Sequence, residues 1–340
     1  PTAIIVATGK GAQHGILIKD AESLEKLAKV TTIVTDKTGT ITKGTPEVTD
    51  IHNLSQLSDK EVIQILASLE SNSEHPIASA IIAKATQQNI ELLKTTGFRN
   101  FEGKGLTATI NNIEYFAGNY KLINELNFEF DTTQLETFTK QGKTPIVLAD
   151  KNKVIAVVFI ADSLKEDIPS IIKNLHKQGL KVVMLTGDNL QTATYIAELA
   201  GIDNFYAEVL PVDKAKIIKE LQGKGEVVAM LGDGVNDAPA LVQADIGIAM
   251  GTGTDVAIES ASITLLKGDF SKVLDAVKLS KISLRVIKQN LFWAFAYNVL
   301  GIPIAAGLFY PLFGILLNPV FAGAAMALSS VTVVANSLRL

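Results

Sequence analysis

The chain has 340 residues, of which 47% are hydrophobic and 19% are charged, and its formal net charge is −4. The 31 basic residues are scattered rather than clustered, so nucleic acid is excluded as an expected partner. The absence of cysteine excludes, within these residues, a disulfide scaffold, a cysteine-ligated metal site and a thiol nucleophile.

The first 30 residues begin with an apolar run that has no basic flank, which is not the pattern of a signal peptide. We expect this run to be the end of a membrane helix from a longer chain, followed by a connecting stalk.

Short β-branched runs recur after residue 30, and each ends at or beside an acidic residue or a glycine. They lie within 31–36, 154–162, 181–188, 226–233 and 244–250, with helical spacings between them in 164–178, 191–200 and 213–222. Strands that alternate with helices predict a parallel sheet covered on both faces. Ligands of such sheets bind beyond the carboxyl ends of the strands, where these acidic residues lie.

Residues 44–150 break this alternation. Two helical stretches at 59–70 and 76–88 precede alternating runs such as 106–110, with turn signals at 111–112 and 118–119. The pattern predicts a separate α+β domain inserted after the first strand of the parallel sheet. We expect hinges around Gly44 and Pro46 and around Asp150.

Residues 289–338 contain no charged side chain and divide near 310–314 into two segments of about 20 residues, which is the length needed to cross a bilayer. Lys281, Arg285 and Lys288 precede the first segment and Arg339 follows the second. The sequence therefore predicts a transmembrane hairpin with the soluble part in the cytoplasm. The alternative is a buried helical pair in a large soluble core.

Acidic residues follow three of the predicted strands: Asp36, Asp188 and Asp233. A carboxylate at a strand tip can attack a phosphoryl group, although such a residue alone is also a common turn or helix cap. Several acids at one sheet edge repel one another unless a cation such as Mg²⁺ binds there. Lys214 and Thr186 can assist the phosphoryl group, or be a solvated lysine and a turn threonine.

Three motifs, DKTGT at 36–40, TGD at 186–188 and GDGVNDAPAL at 232–241, together resemble those of the P-type ATPases and occur in the same order. The resemblance implies a haloacid-dehalogenase-like fold in which ATP phosphorylates Asp36. It also implies roles for the other motif residues: Thr38, Asp233 and Asp237 join Asp36 around Mg²⁺, and Lys37, Thr186, Gly187, Asp188, Lys214 and Asn236 lie at the phosphoryl group.

The resemblance covers essentially the whole chain and implies six segments. They are a helix end and stalk at 1–30, a phosphorylation domain at 31–43 and 151–270, a nucleotide-binding domain at 44–150, a stalk helix at 271–288, and membrane spans at 289–311 and 315–337. The predicted fold class is thus a doubly wound parallel sheet with an inserted α+β domain, followed by a transmembrane helical hairpin.

The inserted domain resembles that of the heavy-metal P-type ATPases, because Ser73-Glu74-His75-Pro76 matches their SEHP element. In that subclass the histidine orients ATP and a glycine pair lines the nucleotide pocket. The implied nucleotide residues are Glu70, His75, Gly103, Gly105, Gly118 and Asn119.

The apolar tail carries Tyr297-Asn298 in its first segment and Met326, Ser329 and Ser330 on one helix face in its second. These side chains can simply support helix packing. The pattern is nevertheless similar to that of the copper(I)-transporting subclass, in which such residues form the metal path, and thioether sulfur suits Cu⁺. Ag⁺ fits the same ligands, and a divalent heavy metal is a further alternative.

The same resemblance implies an integral membrane protein, in the bacterial plasma membrane, that exports copper(I) with ATP. The family's Cys-Pro-Cys element, actuator domain and earlier spans are not in this sequence, so we expect the amino-terminal half of a longer pump as a partner, together with membrane lipid and a copper chaperone. Two rivals are a membrane-anchored phosphatase of the same fold and a nucleotide-binding regulatory subunit. Phosphatases of this fold usually carry a second aspartate at the position of Thr38.

Overall fold

The computed structural model describes residues 2–73, 76–101, 103–126, 128, 133–306, 314 and 319–340. Strands in this part of the chain are β1 Ile16–Ile18, β2 Thr32–Asp36, β3 Thr42–Asn53, β4 Thr96–Phe101, β5 Gly105–Ile110, β6 Ile113–Gly118, β7 Thr144–Asp150, β8 Val154–Leu164, β9 Lys181–Leu185, β10 Asn204–Tyr206, β11 Val228–Gly232, β12 Ile246–Met250 and β13 Ile263–Leu265. Helices are α1 Thr2–Gln13, α2 Ala21–Leu27, α3 Asp59–Glu70, α4 Pro76–Gln87, α5 Tyr120–Glu125, α6 Thr133–Lys140, α7 Ile168–Lys177, α8 Leu190–Ala200, α9 Pro211–Gly223, α10 Ala238–Gln243, α11 Asp255–Ser260, α12 Ser271–Ala305 and α13 Pro319–Ser337.

A seven-stranded sheet has the order β1-β13-β12-β11-β2-β9-β10. The pairs β2–β11, β11–β12 and β12–β13 are parallel, whereas β1 pairs antiparallel with β13 at the edge. All residues of β2, β11 and β12 are buried, which explains their continuous apolar runs. The predicted parallel sheet is confirmed for these strands, and β1 adds an antiparallel edge that the sequence pattern did not indicate.

A six-stranded antiparallel sheet has the order β3-β8-β7-β6-β5-β4. Its strand β8 covers the run 154–162, so the prediction that this run joins the parallel sheet is wrong. Helices α3 and α4 cover one face of the sheet, with Leu66 and Ile81 buried in the shared core. On the other face Phe138 of α6 stacks on Phe159 of β8 with 4.2 Å between ring centroids.

The hinge predicted around Asp150 is also wrong in its position. Asp150 ends β7 in a tight hairpin, where its carboxylate accepts hydrogen bonds from the backbone N–H groups of Asn152 and Lys153 at 2.7 and 2.9 Å. The chain leaves the antiparallel sheet only after Leu164, which pairs with Thr42 at the sheet's start.

The chain divides into two compact units. The first comprises Pro1–Thr35, Ser170–Val183 and Leu210–Leu340, and the second comprises Asp36–Pro169 and Met184–Val209. The antiparallel sheet lies wholly in the second unit. The predicted division into six functional segments stays a prediction.

The predicted stalk helix and first apolar segment form one continuous helix, α12, which runs from Ser271 to Ala305. Side-chain amides link it to α13, because Asn336 donates to Asn290 at 2.9 Å and Asn290 donates to the Ser337 hydroxyl at 3.0 Å. The predicted spans also include 307–311 and 315–318, which lie outside the described residues. In the part of the chain that is described, no helix combines the length and the apolar character that crossing a membrane requires.

Candidate active site

Asp36 is the last residue of β2, and the residue is buried, with 9% of its surface exposed. Its Oδ2 accepts a hydrogen bond from the Thr38 N–H at 3.1 Å. The following turn, Lys37–Ile41, requires a left-handed residue, and Gly39 supplies it with φ 72°. A buried strand and a tight turn therefore fix the carboxylate at the strand tip.

Asp162, near the end of β8, and Lys165, just after β8, form hydrogen bonds with the segment that follows Asp36. The Lys165 ammonium donates to the carbonyls of Gly39 and Thr40, both at 2.9 Å. The Asp162 carboxylate accepts from the Thr42 hydroxyl at 2.6 Å and the Gly44 N–H at 2.8 Å. Neither residue is among the site residues predicted from the sequence. The available signal was an acid and a lysine three positions apart at the end of a buried strand.

Lys37 and Asp188 form an ion pair of 2.8 Å in the second unit, with side chains 11% and 29% exposed. The buried Thr186 hydroxyl accepts a hydrogen bond from the Asp188 N–H at 3.1 Å and so holds the turn after β9. Both ends of the ion pair line a cavity of about 490 Å³. A methyl group at Gly187 would meet only an ordinary 3.7 Å contact, so packing does not explain that glycine.

Lys214 of α9 pairs with Asp237 at 2.7 Å in the first unit, and their side chains are only 8% and 3% exposed. Asp237 Oδ2 also accepts from the N–H groups of Asp233 and Gly234, both at 3.2 Å. A Cβ atom at Gly232 would lie 2.6 Å from Asp237, so this strand end requires glycine. The buried pair thus holds the loop after β11, while Asn236 on the same loop is exposed.

The register of the parallel sheet shows where Asp36 and Asp233 lie relative to their own strands. Thr35 of β2 is opposite Leu231 of the parallel strand β11. Asp36 is the last residue of β2 and Asp233 directly follows β11, so each lies at the carboxyl end of its own strand. Thr254, which is not among the site residues predicted from the sequence, donates its N–H to the Asp233 carbonyl at 2.8 Å.

A second cavity, of about 350 Å³, lies in the antiparallel sheet's domain and is lined by the described nucleotide candidates: Glu70, Gly103, Gly105, Gly118 and Asn119. His75 lies outside the described residues. Burial raises the pKa of the Glu70 carboxyl above its ordinary value, an effect that a hydrogen bond with Ser73 partly offsets.

The glycines of this cavity have different structural reasons. Gly105 and Gly118 face each other across β5 and β6, and a Cβ at Gly105 would lie 2.2 Å from the Ala117 carbonyl oxygen. Only glycine allows the two strands to approach this closely. Gly103 has open space around its missing side chain, and its carbonyl accepts a hydrogen bond from Asn119 at 2.9 Å.

The metal candidates of the tail lie on α12 and α13. Asn298 donates to the Ala294 carbonyl at 2.9 Å, and Ser330 donates to the Met326 carbonyl at 3.3 Å. Both side chains therefore form hydrogen bonds with the backbone of their own helix. Tyr297 and Met326 are 38% and 73% exposed, and Ser329 is half-buried. Among the described residues, no hydrogen bond joins these five side chains across the two helices.

A family model for the haloacid dehalogenase-like hydrolases matches residues 30–245. The chain belongs to this family. The match confirms the predicted haloacid-dehalogenase-like α/β fold, whereas the transmembrane hairpin stays a prediction.

Over its whole length the chain is also similar to curated metal pumps. It is 49% identical to a probable copper-transporting ATPase of Synechocystis, 51% identical to a copper-exporting P-type ATPase of Staphylococcus saprophyticus, and 47% identical to a silver-exporting P-type ATPase of Salmonella typhimurium. It covers 47%, 42% and 42% of these proteins, so it spans less than half of their length. The predicted resemblance to the heavy-metal P-type ATPases is confirmed.

The structure is similar to that of a zinc-transporting PIB-type ATPase in an E2·Pi state, with a TM-score of 0.86 and 33% sequence identity. The match covers all of this chain and 54% of that one. In sequence and in fold the chain is therefore similar to the P-type ATPases.

Proposed function

We propose that this chain is the catalytic half of an ATP-driven copper(I) exporter that works through phosphorylation of Asp36. The observation that carries the proposal is the Asp36 carboxylate itself. It is buried at the tip of a parallel strand, held by the Thr38 N–H, and followed by a turn that Lys165 fixes. A carboxylate held in this way is placed to act as a nucleophile.

In the proposed reaction an oxygen of Asp36 attacks the γ-phosphorus of ATP. The new oxygen–phosphorus bond forms as the bond to the β,γ-bridging oxygen breaks, and ADP leaves with that electron pair. Two lysines bring positive charge, Lys37 oriented by Asp188 and Lys214 oriented by Asp237. Catalysis then consists mainly of positioning and charge neutralisation.

Mg²⁺ and ATP are the proposed cofactor and substrate. Asp36, Asp233 and Asp237 offer carboxylate oxygens, which are hard donors that suit Mg²⁺, and Thr38 is a further predicted ligand. When bound, Mg²⁺ would neutralise charge on the transferring phosphoryl group. The cavity beside Glu70 is the proposed nucleotide pocket, with His75 as a further predicted contact.

The Thr38 side chain bears on the lifetime of the phosphorylated state. An acidic side chain at this position would serve a phosphatase as a general base, whereas a hydroxyl has no such basicity at neutral pH. We therefore expect the aspartyl-phosphate to persist until another part of the pump promotes its hydrolysis.

Labelling with γ-³²P-ATP tests the proposal. We expect an acid-stable, hydroxylamine-sensitive phosphoprotein that Asp36→Asn abolishes, while the exposed Asp203→Asn serves as a matched control that retains it. Rapid hydrolysis of small phosphate esters without a lasting phosphoprotein would instead favour the phosphatase. Tight ATP binding without phosphorylation, also in a completed pump, would favour a regulatory subunit.

Copper(I) is the proposed cargo, on a path that includes Tyr297, Asn298, Met326, Ser329 and Ser330. The relatives named for copper support it, and thioether sulfur suits Cu⁺. Ag⁺ remains a specific alternative, because a relative of nearly equal similarity is named for silver.

Metal-dependent phosphorylation of the pump completed with an amino-terminal half distinguishes the cargoes. We expect stimulation by Cu⁺ and Ag⁺, with weaker Cu⁺ stimulation in Met326→Ala and Tyr297→Ala. Stimulation by Zn²⁺ or Cd²⁺ alone would refute the cargo assignment.

The proposal includes a location and partners. The chain would belong to an integral membrane protein, in a bacterial plasma membrane, with its catalytic domains in the cytoplasm. The coverage of less than half of each relative supports a missing part that carries the actuator domain and further spans. A copper chaperone is the proposed metal donor.

A further inference from the structure

A groove of about 470 Å³ lies along α12 in the first unit. Three cationic side chains, Lys281, Arg285 and Lys288, line one part of it, and two aromatic side chains, Phe292 and Trp293, line another. None of these five residues has a place in the proposed phosphoryl transfer or metal path. The groove therefore combines a cluster of positive charge with an apolar wall.

Little negative charge lies near the cations of the groove in the described part of the chain. The cations are spaced by four and three residues along the helix, so they share one face. Within the described part of the chain, no carboxylate forms an ion pair with any of them. Among the described residues, Lys281 donates to the Gln178 carbonyl at 3.3 Å. Glu25 pairs with Lys29 at 2.8 Å, and the charge of Lys288 makes only a smaller contribution to lowering the pKa of Glu25.

The apolar wall begins one turn after the last cation. Phe292 and Trp293 are 64% and 47% exposed, and large hydrophobic side chains stay exposed along the helix as far as Ile302. Such a run of exposed apolar surface indicates a partner that is itself apolar. The groove thus passes from a charged to an apolar environment along a single helix.

We propose that this groove binds an anionic phospholipid. Its phosphate would lie among Lys281, Arg285 and Lys288, and its acyl chain would lie against Phe292 and Trp293. A soluble phosphate would leave the aromatic wall exposed, and a zwitterionic lipid would bring no net negative charge. The inference rests on the membrane location of the proposed function, and it does not depend on phosphorylation of Asp36.

Trp293 is the single tryptophan of the chain and is therefore a probe inside the groove. The protein in neutral detergent is titrated with phosphatidylglycerol that carries brominated acyl chains, which quench tryptophan fluorescence on contact, and separately with brominated phosphatidylcholine. Three cations beside a lipid phosphate favour the anionic lipid by on the order of 100-fold. We expect phosphatidylglycerol to quench at correspondingly lower concentration.

Charge variants make the test specific to the groove. Lys281→Gln/Arg285→Gln/Lys288→Gln should abolish the preference, and Lys281→Arg/Lys288→Arg should keep it. A control with the same loss of charge, Lys216→Gln/Lys219→Gln/Lys224→Gln on exposed positions in and just after α9, should also keep it.

Equal quenching by the two lipids, or equal loss of preference in the α9 control, would overturn the inference. So would displacement by glycerol 3-phosphate, because it would show that the groove binds a soluble anion. Asp36→Asn should keep the lipid preference. Failure of phosphorylation with an intact lipid preference would refute the proposed function alone, and the reverse result would refute only the lipid site.

Discussion

Replacement of Glu226 by glutamine tests how the amino-terminal edge of the parallel sheet is stabilised. The carboxylate pairs with Lys181 and accepts hydrogen bonds from the hydroxyls of Thr31 at 2.6 Å and Thr32 at 2.9 Å. The Lys181 hydrogen bond, followed by the two threonine hydrogen bonds, lowers the pKa of Glu226 to about 2 from the usual 4.5.

The shift sets an upper limit on the stabilisation. A difference of about 2.5 pKa units is equivalent to ~3.4 kcal/mol. The Lys181 side chain is 62% exposed, so solvent screens the ion pair, and we expect about 2 kcal/mol at pH 7. The folded pKa is the lower one, so the stabilisation is complete above pH 4.5 and is lost as the pH falls towards 2.

Urea unfolding of the wild type and of Glu226→Gln measures the difference in their free energies of unfolding at pH 7 and at pH 4. At pH 4 the unfolded wild-type chain already binds protons at this residue, which reduces the difference by ~0.8 kcal/mol, to about 1.2 kcal/mol. Glu220→Gln, on the exposed face of α9, is the control and should change stability little. A Glu226→Gln penalty that is the same at both pH values would refute the reasoning.

Three further variants test single features. Lys214→Met should lower the free energy of unfolding in urea by about 3–5 kcal/mol, because it leaves the buried Asp237 carboxylate without a counter-ion. The double variant Lys214→Met/Asp237→Asn should lose less stability than the sum of the losses in the two single variants, because the two residues contact each other. Gly105→Ala places a methyl group 2.2 Å from the Ala117 carbonyl oxygen and should destabilise the antiparallel domain by about 1–3 kcal/mol in thermal unfolding, whereas an unchanged melting temperature would contradict the close strand approach. Ser58→Ala removes the capping box of α3 and should cost ~1 kcal/mol by the same measurement, and a neutral effect would show that the cap adds no stability.

The sequence predicted the elements whose pattern is local. The runs at 31–36, 226–233 and 244–250 are strands of the parallel sheet because each is buried on both faces. The strand β8 has the same continuous apolar run for a different reason. Its antiparallel sheet has a core on each face, so it lacks the alternation expected of an antiparallel strand.

Short motifs predicted the positions of Asp36 and Asp233 at the ends of buried strands, which the structure shows. The candidate site was not predictable where the contact joins distant parts of the chain. Lys165 bonds to the carbonyls of Gly39 and Thr40, which are 126 and 125 residues away, and no periodicity or local motif reports such a contact. In the sequence alone, Lys165 resembles any charged residue that follows a strand. Its role becomes visible only in the structure, where it contacts the turn after Asp36.

The two ties at the end of β8 have a mechanical consequence. Asp162 and Lys165 both hold the segment after Asp36, and the strand that precedes Lys165 and carries Asp162 lies inside the antiparallel sheet rather than at its edge. Any bending or twisting of that sheet would therefore be transmitted through these contacts to the segment that follows Asp36. The segment would shift with the sheet although neither of them unfolds.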